Sequence, residues 1–287
     1  MSRVGFVVHE GRDAAIAAAG LLIEGLTAEG VETVRVSPDD LSTAVDLVVA
    51  VGGDGTFLRA AFVASHLRAP VLGIKVGRLG FLTEVEPGEA LPLVLDALAG
   101  RARIEERLAV VGETEGSPAF PPQWGMNEIM VEKRARHRLV RLRVEVDGAY
   151  VTTFSADGVI VATPTGSTAY SFSARGPIVA PQVPCLVVTP IAAHMVFDRS
   201  FVLGADQVVT LEVEGEEPAL LSADGRATVE VPLGTRVRIR ASNRPARFVR
   251  RDEGAAFLPR VREKFGLPGD PEGEADPSAP GDVGGRG

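Results

Sequence analysis

Cysteine is nearly absent: Cys185 is the only one in 287 residues. An intramolecular disulfide and a cysteine-built zinc site are therefore excluded, and Cys185 reads as a small buried apolar residue. Aromatic residues make up 5% of the chain, and the four histidines, His9, His66, His137 and His194, show no metal-ligand spacing. No apolar run approaches the ~18 residues of a membrane span, and the N-terminus lacks signal-peptide character. These features predict a soluble, cytoplasmic protein without a membrane partner. An excess of basic residues is also missing. The net charge is −8, and half of it lies in the last 21 residues, so a nucleic-acid surface is not expected. Two phosphate-loop signatures are absent as well: there is no G-x-x-x-x-G-K-[ST] and no G-x-G-x-x-G.

What is present first is a β-α-β-α-β rhythm. Val4–Val8, Val31–Ser37, Leu47–Val51 and Pro70–Val76 read as strands, with helices over Asp13–Leu26, Phe57–Leu67 and Pro92–Ala99. Such a unit binds ligands outside the carboxyl ends of its strands. From Arg101 the pattern changes to alternating strands, as in Arg141–Val146. Asp147-Gly148 and Asp224-Gly225 mark tight hairpin turns. The expected fold is a doubly wound α/β domain over residues 1–100 and a β-rich domain over 101–251. A C-terminal helix (252–266) and a disordered acidic tail (267–287) follow.

Three stretches carry chemistry. In Gly52-Gly53-Asp54-Gly55-Thr56 an apolar strand breaks through glycines into a helix, where backbone N–H groups and the helix dipole favour a phosphate. Thr56 as a plain N-cap is the structural alternative. A carboxylate at Asp54 would repel an anion unless it took a proton or met a metal. The second stretch, Asp157-Gly158 running through Thr163-Pro164-Thr165-Gly166-Ser167-Thr168-Ala169-Tyr170, again leads a strand through a hydroxyl-rich turn into a helix. It predicts an uncharged polar pocket, or simply a capped turn. The third is Asn127-Glu128, an amide beside a carboxylate, which can hydrogen-bond a vicinal diol such as a ribose. The basic run Lys133–Arg138 is either a solvated loop or a set of cations for phosphates.

Together, and in their order along the chain, these stretches resemble the NAD kinase family, with Leu72-Gly73-Ile74 and Gly77-Arg78-Leu79-Gly80-Phe81-Leu82 between Gly52–Thr56 and Asn127-Glu128. The likeness runs from about Val4 to Leu267. Gly-Gly-Asp-Gly alone is also similar to diacylglycerol kinases and phosphofructokinases; the Thr163–Tyr170 stretch is more specific. The resemblance implies an α/β domain beside a β-rich one, with the last helix packing back on the first. It implies phosphoryl transfer from ATP, or in some members polyphosphate, to the 2′-hydroxyl of NAD's adenosine ribose, giving NADP. Asp54 would be the general base, with a divalent metal, Mg2+, carried on the ATP phosphates and no metal ligand assigned to the protein. Asp54, Gly55, Arg59 and Phe81 would line the NAD site. Asn127 and Glu128 would hold a ribose and Asp157 the nicotinamide amide. Thr168, Ala169, Tyr170, Ser171, Phe172 and Ser173 would pack on the adenosine half, and Arg138 would meet a phosphate. A homo-oligomer, dimer or tetramer, is implied too. Lys75, Arg175, Ala193 and Ser200 depart from the family pattern and bear on donor choice and subunit contacts. A lipid or sugar kinase and a non-catalytic dinucleotide sensor are the rival readings.

Overall fold

A computed structural model of the chain describes residues 2–77, 80–83, 85–115, 120–226, 228–251 and 257–268. Arg78, Leu79 and the acidic tail beyond 268 lie outside them. The chain opens with β1 (Arg3–Val8), α1 (Asp13–Ala28), β2 (Glu32–Arg35), β3 (Leu47–Gly52), α2 (Asp54–Leu67), β4 (Val71–Lys75) and α3 (Ala90–Leu98). Then come β5 (Arg103–Arg107), β6 (Val110–Glu115), β7 (Gln123–Gly125), β8 (Glu128–Lys133), β9 (Val140–Val146), β10 (Ala149–Ala156) and β11 (Gly158–Ala162). After the short α4 (Tyr170–Ser173) follow β12 (Cys185–Ile191), β13 (Phe201–Gly204), β14 (Val209–Glu214), β15 (Ala219–Ala223) and β16 (Val229–Val231). The last elements are β17 (Arg236–Ala241), β18 (Ala246–Arg250) and α5 (Phe257–Phe265).

Among the described residues these strands form three six-stranded sheets. The first runs β2-β1-β3-β4-β18-β5. Its centre, β3, is buried along its whole length and pairs in parallel with β1 and β4, which is why its sequence is an unbroken apolar run. Helices α1 and α3 cover one face of this sheet and α2 the other. The chain leaves β1 toward β2 on one side and returns through β3 toward β4 on the other. The switch point therefore falls between the ends of β1 and β3.

The other two sheets, β10-β9-β14-β17-β6-β7 and β13-β12-β11-β8-β15-β16, face each other across one apolar core. Alternation along β9 sends Val140, Leu142 and Val144 into that core. Its arginines join a charge ladder on the outer face, where Arg236 reaches Glu115, Glu145 and Glu212 at 2.7–3.1 Å. At Asp147-Gly148, φ values of 51° and 81° close the β9–β10 hairpin, the geometry that Asp-Gly favours.

The first sheet does not end where the sequence pattern changes. Strands β5 and β18, inside the stretch assigned to the β-rich domain, pair with each other and complete the first sheet through Phe248 opposite Val71. Burial explains this: Phe248 stacks edge-on against Phe57 at 4.9 Å, in a cluster that also takes Trp124 and Met126 from the other half. The two halves share that core. Helix α5 closes the arrangement. Arg260 donates to the Phe81 carbonyl at 3.1 Å, and the Phe265 ring lies 5.8 Å from Phe81 and 4.4 Å from Phe172.

Candidate active site

Helix α2 begins at Asp54, three residues earlier than the apolar pattern suggests, and Gly53 rather than Thr56 is its N-cap. Asp54 therefore sits in the first turn, at the positive end of the helix dipole. Its carboxylate accepts the backbone N–H of Phe81 at 3.1 Å and of Leu82 at 3.2 Å. The loop can approach this closely because residue 80 is glycine: a Cβ there would lie 2.1 Å from Asp54 Oδ1. One acceptor direction on each carboxylate oxygen is spent on this anchoring; the remainder stay available.

Beside Asp54 opens a cleft of about 510 Å³, lined by His9 and Arg12 after β1, Gly53 to Thr56 with Leu58 and Arg59 after β3, and Asp224 to Arg226 from the sandwich. It occupies the switch point of the first sheet and the seam between the halves. Arg12 is fixed by donating to the Val76 carbonyl at 2.9 Å.

Asn127 and Glu128 are buried. What holds them is Asp224, in the β15–β16 turn with φ 49°. Its fully buried carboxylate accepts the N–H groups of Met126, Asn127 and Glu128 at 2.7–3.1 Å. Arg226 backs it at 3.4 Å, donates to the Trp124 carbonyl and lies 4.2 Å over the Phe62 ring of α2. The helix led by Asp54 and the turn led by Asp224 are thus clamped together. Sequence reasoning missed Asp224 as a site residue; Asp224-Gly225 was legible as a turn and as a weaker part of the family resemblance.

Burial, with the neighbouring Asp224 charge adding to it, pushes the Glu128 carboxyl up to about 8. At neutral pH it is an acid with an O–H to donate. Among the described residues six buried side-chain polar atoms lack a hydrogen-bond partner, and four belong here: His9 Nδ1, Thr56 Oγ1, Asn127 Oδ1 and Glu128 Oε2. Buried polar groups are seldom left so. His9 and Thr56 line the cleft, and Asn127 and Glu128 hang on Asp224, which lines it too, so the four point to a polar ligand that completes them.

The hydroxyls of the Thr163–Thr168 loop bond mostly to backbone groups. They brace the loop more than they line a pocket. Thr163 Oγ1 donates to the Met126 carbonyl at 2.7 Å and accepts from Gly166 N, while Ser167 Oγ donates to the Pro164 carbonyl and accepts from Val179 N. Thr168 turns back to the Thr165 carbonyl at 3.3 Å. The loop enters a 3-10 turn and the single-turn α4 instead of a full helix. Gly166 has no room for a Cβ, which would lie 2.0 Å from the Asn127 carbonyl oxygen, so this loop and the Asn127-Glu128 pair are held as one piece.

Tyr170, Phe172 and Ser173 are exposed, Thr168 and Ala169 half-buried, and Ser171 is spent on Thr189 at 2.9 Å. Burial raises the Tyr170 phenol, and the charges of Glu132, Asp157 and Glu128 add to it, so these groups share one neighbourhood. Asp157 is ion-paired with Lys133. Arg138 stands apart: it pairs with Glu216 and Glu217 at 3.3–3.4 Å on the rim of a different cleft. No contact among the described residues joins it to the Asp54 group.

Two family models match this chain: the ATP-NAD kinase N-terminal domain over residues 23–102 and the ATP-NAD kinase C-terminal domain over 126–251. The chain belongs to the NAD kinase family. NAD kinase 2 of Streptomyces avermitilis is 38% identical over 91% of this chain and 93% of its own length. The NAD kinase of Rhodococcus erythropolis is 40% identical over 85% and 78%. Among solved structures, yeast NADH kinase complexed with NADH shares the fold (TM-score 0.82, 24% identity, 94% of this chain and 89% of that one). An Archaeoglobus fulgidus NAD kinase in complex with ATP matches with TM-score 0.71 at 28% identity over 93% and 97%. As an NAD kinase the protein is a phosphotransferase, with the α/β and β-rich halves of that family.

Proposed function

We propose that this NAD kinase moves the γ-phosphoryl group of ATP, or a phosphoryl group of polyphosphate, to the 2′-hydroxyl of the adenosine ribose of NAD, producing NADP. The supporting observation is the Asp54 carboxylate: it borders the seam cleft, is held in one orientation by two backbone amides, and has no lysine beside it among the cleft-lining residues. Asp54 would accept the 2′-hydroxyl proton as that oxygen bonds to the γ-phosphorus and the bond to the β–γ bridging oxygen breaks, releasing ADP. ATP as donor is supported by the ATP complex of the Archaeoglobus fulgidus relative.

Gly55 and Arg59 at the cleft, with Phe81 behind Asp54, would form the NAD wall of the first half. Asn127 Oδ1 and protonated Glu128 would take the ribose diol, one accepting and one donating, which matches their unpartnered atoms. Asp157 would meet the nicotinamide amide, and Thr168 to Ser173 would meet the adenosine half, with the exposed Tyr170 ring free to stack. Arg138 would need to leave Glu216 and Glu217 to reach a phosphate. A divalent cation such as Mg2+ would neutralise the phosphate charge when bound. Among the described residues no group of three or more His, Cys, Asp or Glu could hold a metal. In this reading residues 1–100 and 101–251 are the two domains, the second lending β5 and β18 to the first sheet, and the helix over Phe257–Phe265 returns to the first. Exposed Tyr150, Val151, Val196 and Val202 offer apolar surface for a dimer or tetramer. Among the described residues no helix is long and apolar enough to cross a membrane; a cytoplasmic location is part of the proposal.

The test is NADP formation from NAD and ATP–Mg by native protein and Asp54→Asn. The expected result is a loss in kcat of about 10²–10⁴ with NAD affinity kept within a few-fold. Full turnover in Asp54→Asn would remove Asp54 as the base.

A further inference from the structure

A second cleft, of about 660 Å³, lies on the same seam at the other end of α2. The 14 residues of that helix separate it from Asp54 by about 20 Å. Its lining joins the end of α2 to β6, β17 and β18, and it carries four arginines, Arg68, Arg240, Arg244 and Arg247, against one carboxylate, Glu113. Glu113 is spent on Arg240 at 2.9 Å. Among the described residues the Arg247 side chain donates only to the Arg68 carbonyl, at 3.4 Å. Among the described residues no carboxylate lies within ion-pair distance of Arg68, Arg244 or Arg247, and the last two are half-buried.

Three uncompensated guanidinium groups around one cavity repel one another, in a chain whose net charge is −8. The α2 C-terminal carbonyls offset part of this for Arg68 and Arg247. They leave Arg244 unexplained: its side chain faces the cavity and adds to the arginine charge that, after burial, holds the His66 imidazole below its usual range.

We propose that this cleft is an anion site, separate from the Asp54 cleft, that takes a chain of two or three linked phosphoryl groups. Arginine forks pair bidentately with phosphate oxygens, and the volume suits such a ligand. Among the described residues no aromatic ring lines the cavity, so recognition falls on the phosphates rather than on a base. The phosphoryl chain has two sources, a nucleotide and free inorganic polyphosphate.

The experiment is calorimetric titration of the full chain with inorganic tripolyphosphate and, separately, with ATP–Mg. The comparison is with the double variant Arg244→Ala/Arg247→Ala. Native protein is expected to bind tripolyphosphate at two sites per chain, and the double variant to lose one of them or bind there at least tenfold more weakly. Its NADP-forming turnover should be unchanged, which also reports a correctly folded chain. Arg244→Lys, which keeps the charge and loses the fork, should fall between. Filling of the second site by ATP as well assigns it to nucleotides; filling by tripolyphosphate alone assigns it to the inorganic chain. In NMR titrations, occupancy should raise the His66 pKa in native protein and leave it unmoved in the double variant. Equal stoichiometry and affinity in native and double-variant protein, or a single site in both, would overturn the proposal.

Discussion

Glu128 couples the ligand site to stability through one proton. Its carboxyl, ordinarily near 4.5, is pushed up to about 8 by burial and then by Asp224. Below pH 4.5 folded and unfolded chains both hold the proton, and no difference arises. Between about 4.5 and about 8 the unfolded chain ionises while the folded one does not, so stability falls as pH rises, reaching its floor above 8. Glu128→Gln removes this dependence. Thermal unfolding of the ligand-free variant is expected to match native protein at pH 4 and to exceed it by several degrees at pH 8. A constant gap across that range would deny the buried acid. Asp224 is the companion case. Asp224→Asn keeps a carbonyl for the Asn127 and Glu128 amides but leaves Arg226 without its charge partner, at a cost of about 3 kcal/mol. Because the amide donors fix where Asn127 and Glu128 stand, the KM for NAD should rise about tenfold with a smaller change in kcat. Steady-state kinetics at several NAD concentrations separates the two. A variant that loses stability alone would make Asp224 a purely structural turn residue.

At the scale of elements, the N-terminus of α2 and the 80–82 loop act together. A helix start alone would attract an anionic ligand; the loop amides give the same dipole a carboxylate to hold, and the glycine at 80 sets their distance. Gly80→Ala forces a Cβ against Asp54 Oδ1, so the carboxylate must turn or the loop retreat. Such a displacement is expected to lower kcat about 10- to 100-fold, with unfolding temperature and NAD binding nearly unchanged. Turnover and a binding isotherm on the same preparation check it. The Gly52–Thr56 stretch was legible as a ligand loop because strand, glycines and carboxylate are consecutive. Its anchor was not, since Phe81 and Leu82 lie 27 and 28 residues away. The Thr163–Thr168 hydroxyls were legible as a polar cluster. Whether they faced a ligand or their own backbone depended on Met126, Pro164 and Val179, which composition does not place.

For the whole molecule, the two halves are joined rather than merely adjacent. Strands β5 and β18 carry the chain back into the first sheet, Trp124 and Met126 share its core, and Phe265 bridges Phe81 to Phe172. Phe265→Ala removes the ring that ties α5 to both sides of the site. The expected loss is about 1–3 kcal/mol in unfolding free energy, together with a higher KM for NAD, as Phe172 and Phe81 lose a common support. Urea unfolding followed by kinetics at low denaturant would show both. An unchanged KM would confine α5 to a structural role.

The sequence by itself determined the α/β rhythm, the shift to alternating strands, the three short stretches and the family they resemble. Each is a local pattern, set by the period of side chains along a strand or helix or by glycines beside a carboxylate. Only the tertiary structure decided that Asp224 holds Asn127 and Glu128, that Arg138 is tied to Glu216 and Glu217, and that the first sheet is completed by β5 and by β18, a strand from near the end of the chain. Those outcomes depend on which buried groups meet across roughly 30 to 180 residues, where burial and hydrogen-bond satisfaction select the partner. No periodicity along the chain records that choice.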